Sequence, residues 1–596
     1  MVNAVVAIEH CLSPATRYIR CGIETGWDMI VGIDLGTTNS ACALWRDDQP
    51  VMVPNALGDY LTPSAVSIGD DDAVLVGRAA RDRMATHPDR TVTSFKRRIG
   101  TRETARLAKR DYDAEALSAL VLASLKRDAE AFTGDTVTGA VVTVPAYFND
   151  RQRKATRRAG ELAGLPIKRL INEPTAAALA CGIADRGDRE PFLVFDLGGG
   201  TFDVSIVEMF DGVIEVRASA GDNRLGGDDF NDCLIDLTRA ALDPGGLLAK
   251  LPPDRATALM AQAAERCRRA LSEADSADLS VTVGDTALSV PVTAAAFEEH
   301  AAALLQRIRE PVLRSLRDSS IAAAALSEVV LVGGATRMPI VRRAVTRMFG
   351  RFPATTVHPD HAVAMGAAVQ AGLLARDAGL DEIRLTDVCP FTLGVDTSEP
   401  DGRGGFRTGL FSPIIERNSA VPISRVSSFS TVVDNQRRVQ FGIYQGEARE
   451  VAGNVKLGEV TIEVPRRPAG AVSIECRFSY DSSGLLEVDL AVPETGMTRN
   501  LVIVDDEDAP DPAEIEKRRA ALAALKVHPR DDAVNAALMA RARRAYESFL
   551  GDTRAAIGQM LGQFESVLAT QDERSIAEAR TAFGAALDQI EGERFL

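Results

Sequence analysis

The sequence has few cysteines, no excess of basic charge and no long apolar run. Its 596 residues include 8 cysteines and no CxxC pair, which favours buried, reduced thiols and a cytoplasmic protein. Lys and Arg number 68 against 84 Asp and Glu, and the net charge of −16 argues against nucleic acid or an anionic membrane as a partner. No stretch approaches the about 18 consecutive apolar residues of a membrane-spanning helix, which excludes such a helix.

The sequence does contain enough apolar residues to build several cores. Hydrophobic residues make up 46% and charged residues 26%, as in ordinary globular proteins, and the length fits about four domains. Residues 1–28 carry no periodic pattern, whereas an apolar strand is predicted at 30–33. We therefore expect residues 1–28 to be a disordered extension or to precede a physiological start at Met29.

Periodicity divides the rest of the chain into four parts. Residues 29–375 alternate short apolar strands with helical stretches, which predicts an α/β domain. A charged stretch at 376–388 has no periodicity and is predicted to be an interdomain linker. Residues 389–505 alternate apolar and polar positions around a turn at 481–484, which predicts antiparallel β-structure. Residues 506–596 follow helical spacing and are predicted to be all α.

Two glycine turns with the same opening letters follow predicted strands in the α/β region. Asp34 begins the string DLGTT after the strand at 30–33, and Asp196 begins DLGGGT after a strand at 192–195. Glycines after a strand let backbone N–H groups approach phosphate oxygens, threonines add hydroxyl donors, and aspartates can hold Mg²⁺ through water. One such turn alone is as easily explained as a hairpin closure. Two equivalent turns favour a duplicated fold that binds one phosphate-bearing ligand.

The residues assigned to this chemistry fall in three turns. The third turn, at 333–337, also follows a strand. It is interpreted as a phosphate-binding turn, and the alternative is an ordinary strand-to-helix connection. Asp34, Asp196 and Asp203 are the expected magnesium carboxylates, bound mainly through water. The expected phosphate-binding residues are Gly36, Thr37, Thr38, Asn39, Gly198, Gly199, Gly200, Gly333 and Gly334.

Five strings carry a resemblance to a known family. They are DLGTTNS (34–40), VTVPAYFNDRQR (142–153), INEPTAAALA (171–180), DLGGGTFD (196–203) and LVGGATRMP (331–339). Together they resemble the seventy-kilodalton heat-shock chaperones of the DnaK type over about residues 29–505, and the C-terminal helices are similar more loosely. The resemblance implies a multidomain chain with an actin-like two-lobed α/β ATPase, an antiparallel β-sandwich that holds peptides, and an α-helical lid.

The resemblance also implies catalytic roles. Lys96 would reach the γ-phosphate and the attacking water, where a cation offsets the charge of the transferring phosphoryl group. Glu173 would orient or deprotonate that water, Asp196 would lie with Asp34 around hydrated Mg²⁺, and Thr201 would lie beside the γ-phosphate. Without the family, the Lys-Arg-Arg run at Lys96 would indicate a solvated face, and Glu173 a helix-start residue.

An adenosine pocket is implied by the same resemblance, because guanidinium planes that match the family pattern can stack on both faces of adenine. The expected nucleoside contacts are Glu265, Arg268, Arg269, Ser272, Arg337 and Asp360. Glu265, Arg268 and Ser272 have the spacing of one helical face. The alternative explanation of this spacing is a surface helix stabilised by Glu–Arg pairing. The string His-Pro-Asp-His at 358–361 looks like a metal pair only superficially, and we reject metal binding there.

Residues that match coupling, partner and client sites lie outside the cleft. Pro145, Arg153 and Asp387 match the relay from nucleotide to peptide domain, and Arg169 and Asn172 match positions that J-domain co-chaperones use. The positions that match the peptide pocket are Phe429, Val432, Val439 and Phe441. A peptide there would gain main-chain hydrogen bonds and one central apolar pocket, but alternation alone does not distinguish a pocket from sandwich core.

Several segments depart from the DnaK pattern. The stretch from Gly100 to Ala114 is short, and so is 274–292, which lacks the loop associated with the usual exchange factor. The linker reads EIRLTD at 382–387 rather than a leucine run, and a glycine-rich insertion at 399–408 falls where the arch over the peptide begins. These features and a short lid resemble the bacterial HscC branch and leave client preference open.

We therefore expect an ATPase that uses ATP/ADP, Mg²⁺ and K⁺ and switches its affinity for extended apolar segments of unfolded or client proteins. Hydrolysis, stimulated by a J-domain protein and client, would favour the slow-releasing state. One alternative is a regulatory ATPase of the same family that gates one dedicated partner. Another is a small-molecule kinase, against which the appended β-domain argues. We expect a monomer without nucleic-acid or membrane partners, and the need for an exchange factor stays open.

Overall fold

The structure is a computed structural model, and it describes most of the chain between Met29 and Gly592. The described residues are 29–184, 189–210, 213–354, 357–375, 384–400, 405–481, 484–503 and 532–592, together with Arg519, Leu522 and Lys526. The expectation for residues 1–28 lies outside them, as do most of the predicted linker and the centre of the 399–408 insertion.

Strands occur throughout the chain from Met29 to Ile503. In chain order they are β1 (Met29–Asp34), β2 (Asn39–Arg46), β3 (Gln49–Val53), β4 (Thr62–Pro63), β5 (Ala65–Ile68), β6 (Val74–Val76), β7 (Thr91–Thr93), β8 (Thr104–Leu107), β9 (Arg110–Asp113), β10 (Val137–Val144), β11 (Ile167–Asn172), β12 (Arg189–Leu197), β13 (Phe202–Phe210), β14 (Val213–Asp222), β15 (Ser276–Val283), β16 (Thr286–Thr293), β17 (Val329–Val332), β18 (Arg384–Val388), β19 (Leu393–Pro400), β20 (Phe406–Ile415), β21 (Ala420–Val421), β22 (Ile423–Ser430), β23 (Arg438–Gln445), β24 (Val455–Glu463), β25 (Ser473–Tyr480), β26 (Leu486–Val492) and β27 (Met497–Ile503).

The α-helices are α1 (Arg78–Arg81), α2 (Ala114–Thr133), α3 (Asp150–Leu162), α4 (Glu173–Ala184), α5 (Gly227–Leu242), α6 (Pro253–Ala270), α7 (Ala294–His300), α8 (Ala302–Ser319), α9 (Pro339–Phe349), α10 (Ala362–Leu374), α11 (Ala533–Ser548), α12 (Gly551–Thr570) and α13 (Glu573–Gly592). Short 3₁₀ turns include Phe95–Arg98 and Gly334–Arg337.

The α/β region contains two sheets with the same local topology. In the first, of order β11-β10-β1-β2-β3, β1 pairs in parallel with β10 and antiparallel with β2. In the second, of order β17-β12-β13-β14-β18-β21, β12 pairs in parallel with β17 and antiparallel with β13. We call the parts built on these sheets lobe I and lobe II. The repeated DLG turns therefore follow equivalent strands, β1 and β12.

Helices α4 and α10 pass between the two sheets and share one apolar layer. Most of their buried apolar side chains belong to one cluster that also includes residues of β12, β14 and β17, while Ala364 and Ala368 of α10 pack against β2. The helices cross closely, because a Cβ added at Gly366 of α10 would lie 1.6 Å from the carbonyl oxygen of Ala176 in α4. Only glycine fits such an approach.

The β-rich region is a sandwich of two antiparallel sheets, of orders β20-β19-β23-β24 and β22-β25-β26-β27. The alternating positions predicted in the sequence form its core, for example Ile474, Cys476 and Phe478 of β25. The predicted hairpin is present as β25 and β26. The end of the predicted linker is a strand: β18 pairs in parallel with β14 of lobe II and antiparallel with β21, so it joins the two regions.

The C-terminal helices α11, α12 and α13 pack into a bundle around Ile557, Phe564 and Phe583. The turn between α12 and α13 reaches the sandwich. There the side-chain amide of Gln571 accepts from the N–H of Val426 at 3.2 Å and donates to its carbonyl at 3.0 Å. No helix in the described part of the chain is both long and apolar enough to cross a membrane.

Candidate active site

A cavity of about 430 Å³ opens between lobes I and II, at the carboxyl ends of β1 and β12. Every residue predicted to bind nucleotide lines it except Gly200, and every predicted catalytic residue lines it. Asp203, predicted to hold metal, does not line it. Residues that sequence analysis missed also line the cavity, and they are Leu61, Gly227, Glu273, Ala335, Pro359 and Val363.

The two phosphate-type turns interlock across the cavity. A Cβ added at Gly199 would lie 1.7 Å from Oγ1 of Thr38, and one added at Gly200 would lie 2.6 Å from Cγ2 of Thr37. Side chains are therefore excluded from lobe II's turn where it meets lobe I's turn. Oγ1 of Thr38 is buried without a protein partner, as a hydroxyl that serves a phosphate would be. The residues fit a bound polyphosphate.

Lys96 and Glu173 form a buried ion pair at one wall of the cavity. Lys96 Nζ donates to Glu173 Oε1 at 2.6 Å, and the two residues are 3% and 7% exposed. The 3₁₀ turn Phe95–Arg98 holds Lys96, and Glu173 is the first residue of α4, directly after β11. Removing one partner of such a pair leaves an uncompensated buried charge. Each residue of the pair therefore depends on the other for charge compensation.

Three aspartates lie close enough to Glu173 for its charge to act on them; Asp196 and Asp203 are buried and Asp34 is half-buried. Burial, followed by the negative charge of Glu173, raises the pKa of Asp34 to about 7. The same two causes raise the pKa of Asp196 and that of Asp203 well above their usual range. Oδ1 of Asp203 has no hydrogen-bond partner. Carboxylates in this arrangement fit a divalent cation that would stabilise their ionised forms.

Among the described residues, no three acidic, imidazole or thiol side chains are close enough to hold a metal ion by themselves. Asp34 also accepts a hydrogen bond from the Thr143 hydroxyl at 3.1 Å, which fixes the orientation of its carboxyl group.

The other end of the cavity is lined by cationic side chains of lobe II. Arg269 pairs with Glu265 at 2.5 Å and Arg337 with Asp360 at 2.5 Å, while the two arginine side chains stay 60% and 49% exposed. Their guanidinium planes are thus accessible to a flat ring. Burial lowers the pKa of Arg268.

Ser272, expected on the same helical face as Glu265 and Arg268, lies just past the end of that helix. Helix α6 ends at Ala270, because the chain tightens there into a 3₁₀-type bond from Ser272 N–H to the carbonyl of Arg269. Ser272 still lines the cavity from the following turn, where its hydroxyl donates to the carbonyl of Arg268 at 3.2 Å.

Two histidines lie directly behind this end of the cavity. The rings of His358 and His361 stack with centroids 3.9 Å apart, and Tyr60 meets His361 edge-on. Nη2 of Arg337 lies 3.5 Å from Nε2 of His358. Burial, followed by the charge of His358, lowers the pKa of His361.

Two of the three predicted coupling residues, Arg153 and Asp387, are linked through Asn172 at the strand β18. Arg153 donates to Oδ1 of Asn172 at 2.6 Å, and Asn172 donates to both carboxylate oxygens of Asp387 at 3.2 and 3.1 Å. Pro145 begins the neighbouring turn, in which its carbonyl accepts from Phe148 N–H. Arg169 is half-buried rather than solvated; burial lowers its pKa, and the charge of Asp387 opposes that shift.

The four residues predicted to line a peptide pocket belong to β22, to β23 and to the turn after β22. Phe429 and Phe441 meet edge to face with ring centroids 5.4 Å apart. Phe441 is 3% exposed and belongs to the buried core, whereas Phe429 and Val439 pack against that core and stay partly exposed. Val432 follows the end of β22, and its N–H is held by the side chain of Gln436.

Comparison with known proteins gives a family match and a similar relative. A family model described as "Hsp70 protein" matches residues 30–110 and 103–593. The "Chaperone protein DnaK" of Thermotoga neapolitana is 40% identical over 487 residues, which cover 80% of this chain and 80% of that protein.

Proposed function

The chain belongs to the Hsp70 family, and from that membership we propose that it is an ATP-dependent molecular chaperone whose ATPase cycle switches its affinity for extended apolar segments of client proteins. Members of the family are ATPases. Because the similar relative is named as a chaperone, the chaperone function is favoured over a regulatory ATPase with one dedicated partner. The observation that carries the proposal is β18, a strand hydrogen-bonded to lobe II that leads directly into the β-sandwich.

In the proposed reaction the interlocked turns bind the phosphates of ATP through backbone N–H groups and the hydroxyls of Thr37, Thr38 and Thr201. Lys96 offsets the charge that develops on the transferring phosphoryl group. Glu173 accepts a hydrogen bond from the attacking water and orients it.

The three aspartates Asp34, Asp196 and Asp203 would hold Mg²⁺, mainly through water. A bound magnesium ion supplies neutralisation of phosphate charge. A K⁺ ion in the same cleft is part of the proposal, and it rests on the resemblance. At the other end, Arg269 and Arg337 stack on adenine, and Glu265, Arg268, Ser272 and Asp360 contact the nucleoside.

Coupling in this proposal runs through contacts between the ATPase lobes and the sandwich. Arg417 donates to Asp318 of α8 at 2.8 Å, and the side chain of Asn418 accepts from Ser219 N–H of β14 at 2.9 Å. The N–H of Asp150 donates to the side chain of Gln445 at 3.0 Å. Together with Pro145, Arg153 and Asp387, these bonds let the nucleotide state change how the sandwich is held. Such coupling is reciprocal between nucleotide and peptide.

Further parts of the proposal rest on the resemblance. The domains are taken as 29–375, 389–505 and 506–596, with 376–388 as linker, in a cytoplasmic protein of the HscC branch. The peptide site is placed at Phe429, Val432, Val439 and Phe441. A J-domain co-chaperone would contact the region of Arg169 and Asn172, where one side chain carries positive charge and the other already contacts Asp387.

The test is the release rate of a fluorescent apolar peptide, measured with Mg-ATP and K⁺ and again with Mg-ADP. We expect ATP to accelerate release at least about fivefold, the lower end of typical coupling between sites. Tight ATP binding with an unchanged release rate would contradict the chaperone cycle and leave only the ATPase. The surface variant Glu475→Ala, in β25, should behave as the unmodified protein.

A further inference from the structure

Segment 94–97 of lobe I contacts the first turn of α5 in lobe II. The hydroxyl of Ser94 donates to Oδ2 of Asp228 at 2.7 Å. Nη2 of Arg97 donates to Oδ2 of Asp229 at 2.5 Å. Both bonds cross the cleft. Of the two residues between Ser94 and Arg97, Lys96 lines the cavity and Phe95 is buried.

The lobe I side of this contact is firmly anchored. Phe95 and Ile99 are almost fully buried in the core of lobe I, so the intervening residues have little freedom. Ser94 adopts a left-handed conformation with φ of 53°, which is uncommon for a residue other than glycine. A sparsely populated conformation persists where surrounding contacts hold it, and the bond to Asp228 is one of them.

The lobe II side is tied to the phosphate turn. The N–H groups of Gly227 and Asp228 donate to the carbonyls of Gly198 and Gly199 at 2.9 and 2.8 Å. A Cβ added at Gly226 would lie 2.5 Å from the backbone of Gly199, so the two segments are in direct contact. Moving the first turn of α5 therefore moves the glycine turn with it.

The same helix supports the nucleoside end of the cavity. Nε of Arg268 donates to Oδ1 of Asn231, in the second turn of α5, at 2.8 Å. Burial raises the pKa of Asp228, and the Ser94 hydroxyl and the charges of Arg97 and Arg268 oppose that shift. One short stretch of α5 thus contacts the phosphate turn, the nucleoside arginine and lobe I.

We propose that Ser94 and Arg97, through Asp228 and Asp229, form a latch across the cleft that fixes the distance between Lys96 and the phosphate turn and slows the escape of bound nucleotide. The inference rests on the proposed function. Ser94, Arg97, Asp228 and Asp229 are positioning residues in it, because they act through Lys96 and the glycine turn.

The experiment measures two rates on the full chain: dissociation of N-methylanthraniloyl-ADP by stopped flow, and single-turnover hydrolysis of ATP. We expect Arg97→Gln and Asp229→Asn each to accelerate ADP release about tenfold and to slow hydrolysis by a similar factor, since loss of a charge-assisted bond acts mainly on the off-rate. The double variant should be no worse than either single variant, because one shared interaction is lost.

Matched variants separate the latch from general damage. In the unmodified protein the N–H of Gly226 donates to Oδ2 of Asp229 at 2.8 Å, and this bond caps the start of α5. Asn at 229 keeps a side-chain oxygen that can accept the same bond. Arg97→Lys keeps the charge and should recover part of both rates. Arg98→Gln removes the next arginine of the same run and should leave both rates unchanged. If Arg97→Gln fails to fold, Ser94→Ala, which removes one hydroxyl, should still accelerate release.

Wild-type release rates in Arg97→Gln and Asp229→Asn would overturn the latch, as would additive effects in the double variant or equal effects of Arg98→Gln. Failure of the proposed function has a different signature. A chain that binds N-methylanthraniloyl-ADP but never hydrolyses ATP would contradict the ATPase, while its release rates would still test the latch.

Discussion

The nucleotide cleft and the proposed peptide site differ in how locally their residues are specified. The cleft is built from short strings at the ends of β1, β12 and β17, and each string carries its own chemistry in its glycines, threonines and aspartates. The proposed peptide site uses apolar residues of β22, of β23 and of the turn after β22, and residues of the same kind also build the sandwich core. Sites made of unusual local residues can be found one string at a time, whereas a pocket made of core-type residues needs a measurement.

The largest difference should appear when one ionic residue of the cleft is removed. We expect Lys96→Ala to lower the single-turnover rate of ATP hydrolysis by about 10²–10³-fold, because one preorganised charge at the transition state is lost, and to leave ATP binding intact. Peptide affinity in ADP should hardly change. Lys109→Ala, an exposed lysine between β8 and β9, is the matched control. A retained hydrolysis rate would remove Lys96 from the catalytic assignment.

The connection between the two regions should be the next most sensitive place. Asp387 is half-buried, desolvation raises the pKa of its carboxyl group, and its carboxylate accepts two bonds from Asn172. Coupled sites typically change each other's affinity by about 5–150-fold. We expect Asp387→Ala to abolish this effect between peptide and nucleotide, while each site still binds its own ligand. The check is the ATPase rate with and without peptide. Undiminished stimulation by peptide would show that the two regions communicate by another route.

The third prediction compares Phe429, at the proposed peptide site, with Phe478 in the sandwich core. We expect Phe429→Ala, at a partly exposed ring, to weaken peptide binding about tenfold as an apolar contact of roughly 1.4 kcal/mol is lost. Phe478→Ala, at a ring with 0% exposure, should instead cost about 3–5 kcal/mol of folding free energy. Peptide titration and denaturant unfolding report the two quantities. If both variants only destabilise the fold, the residue at 429 is core.

The smallest expected effect is a pH response confined to the cleft. The pKa of His361 is lowered by burial and by His358; Asp360 opposes that shift and Arg337 adds to it, and Tyr60 also faces the ring. Since the unfolded chain then binds a proton more readily, stability should decrease as pH falls below about 6.5, by less than about 1 kcal/mol because water screens a half-exposed ring. His361→Gln should remove this dependence in thermal unfolding at pH 7 and pH 5. If the variant shows the same pH dependence of thermal unfolding as the unmodified protein, the titration of His361 does not cause it.

Much of the fold could be predicted from the sequence because its elements have clear periods. The strand at 30–33 lies within β1, the hairpin around 481–484 is β25 and β26, and the helix expected at 557–568 lies within α12. The cleft followed from its strings, and almost every expected residue lines one cavity. Gly226 and Gly227 were missed, although a glycine pair just before a helix is itself a signal of close backbone approach.

The features that were not predicted depend on contacts between distant segments. A charged stretch without periodicity gave no sign that residues 384–388 form β18, because that strand exists only by pairing with β14 and β21. Likewise, a Lys-Arg-Arg run does not indicate that Arg97 reaches Asp229 across the cleft, or that Gln571 pairs with the backbone of Val426. Propensity and spacing describe neighbours along the chain, and these contacts join residues far apart in it.

The close crossing of α4 and α10 leaves no spare space between the lobes. Since a Cβ at Gly366 would lie 1.6 Å from the carbonyl oxygen of Ala176, any side chain there must push the two helices apart. Both helices belong to the apolar layer between the two sheets. A substitution at Gly366 would therefore disturb the packing between the lobes from a position that does not line the cavity.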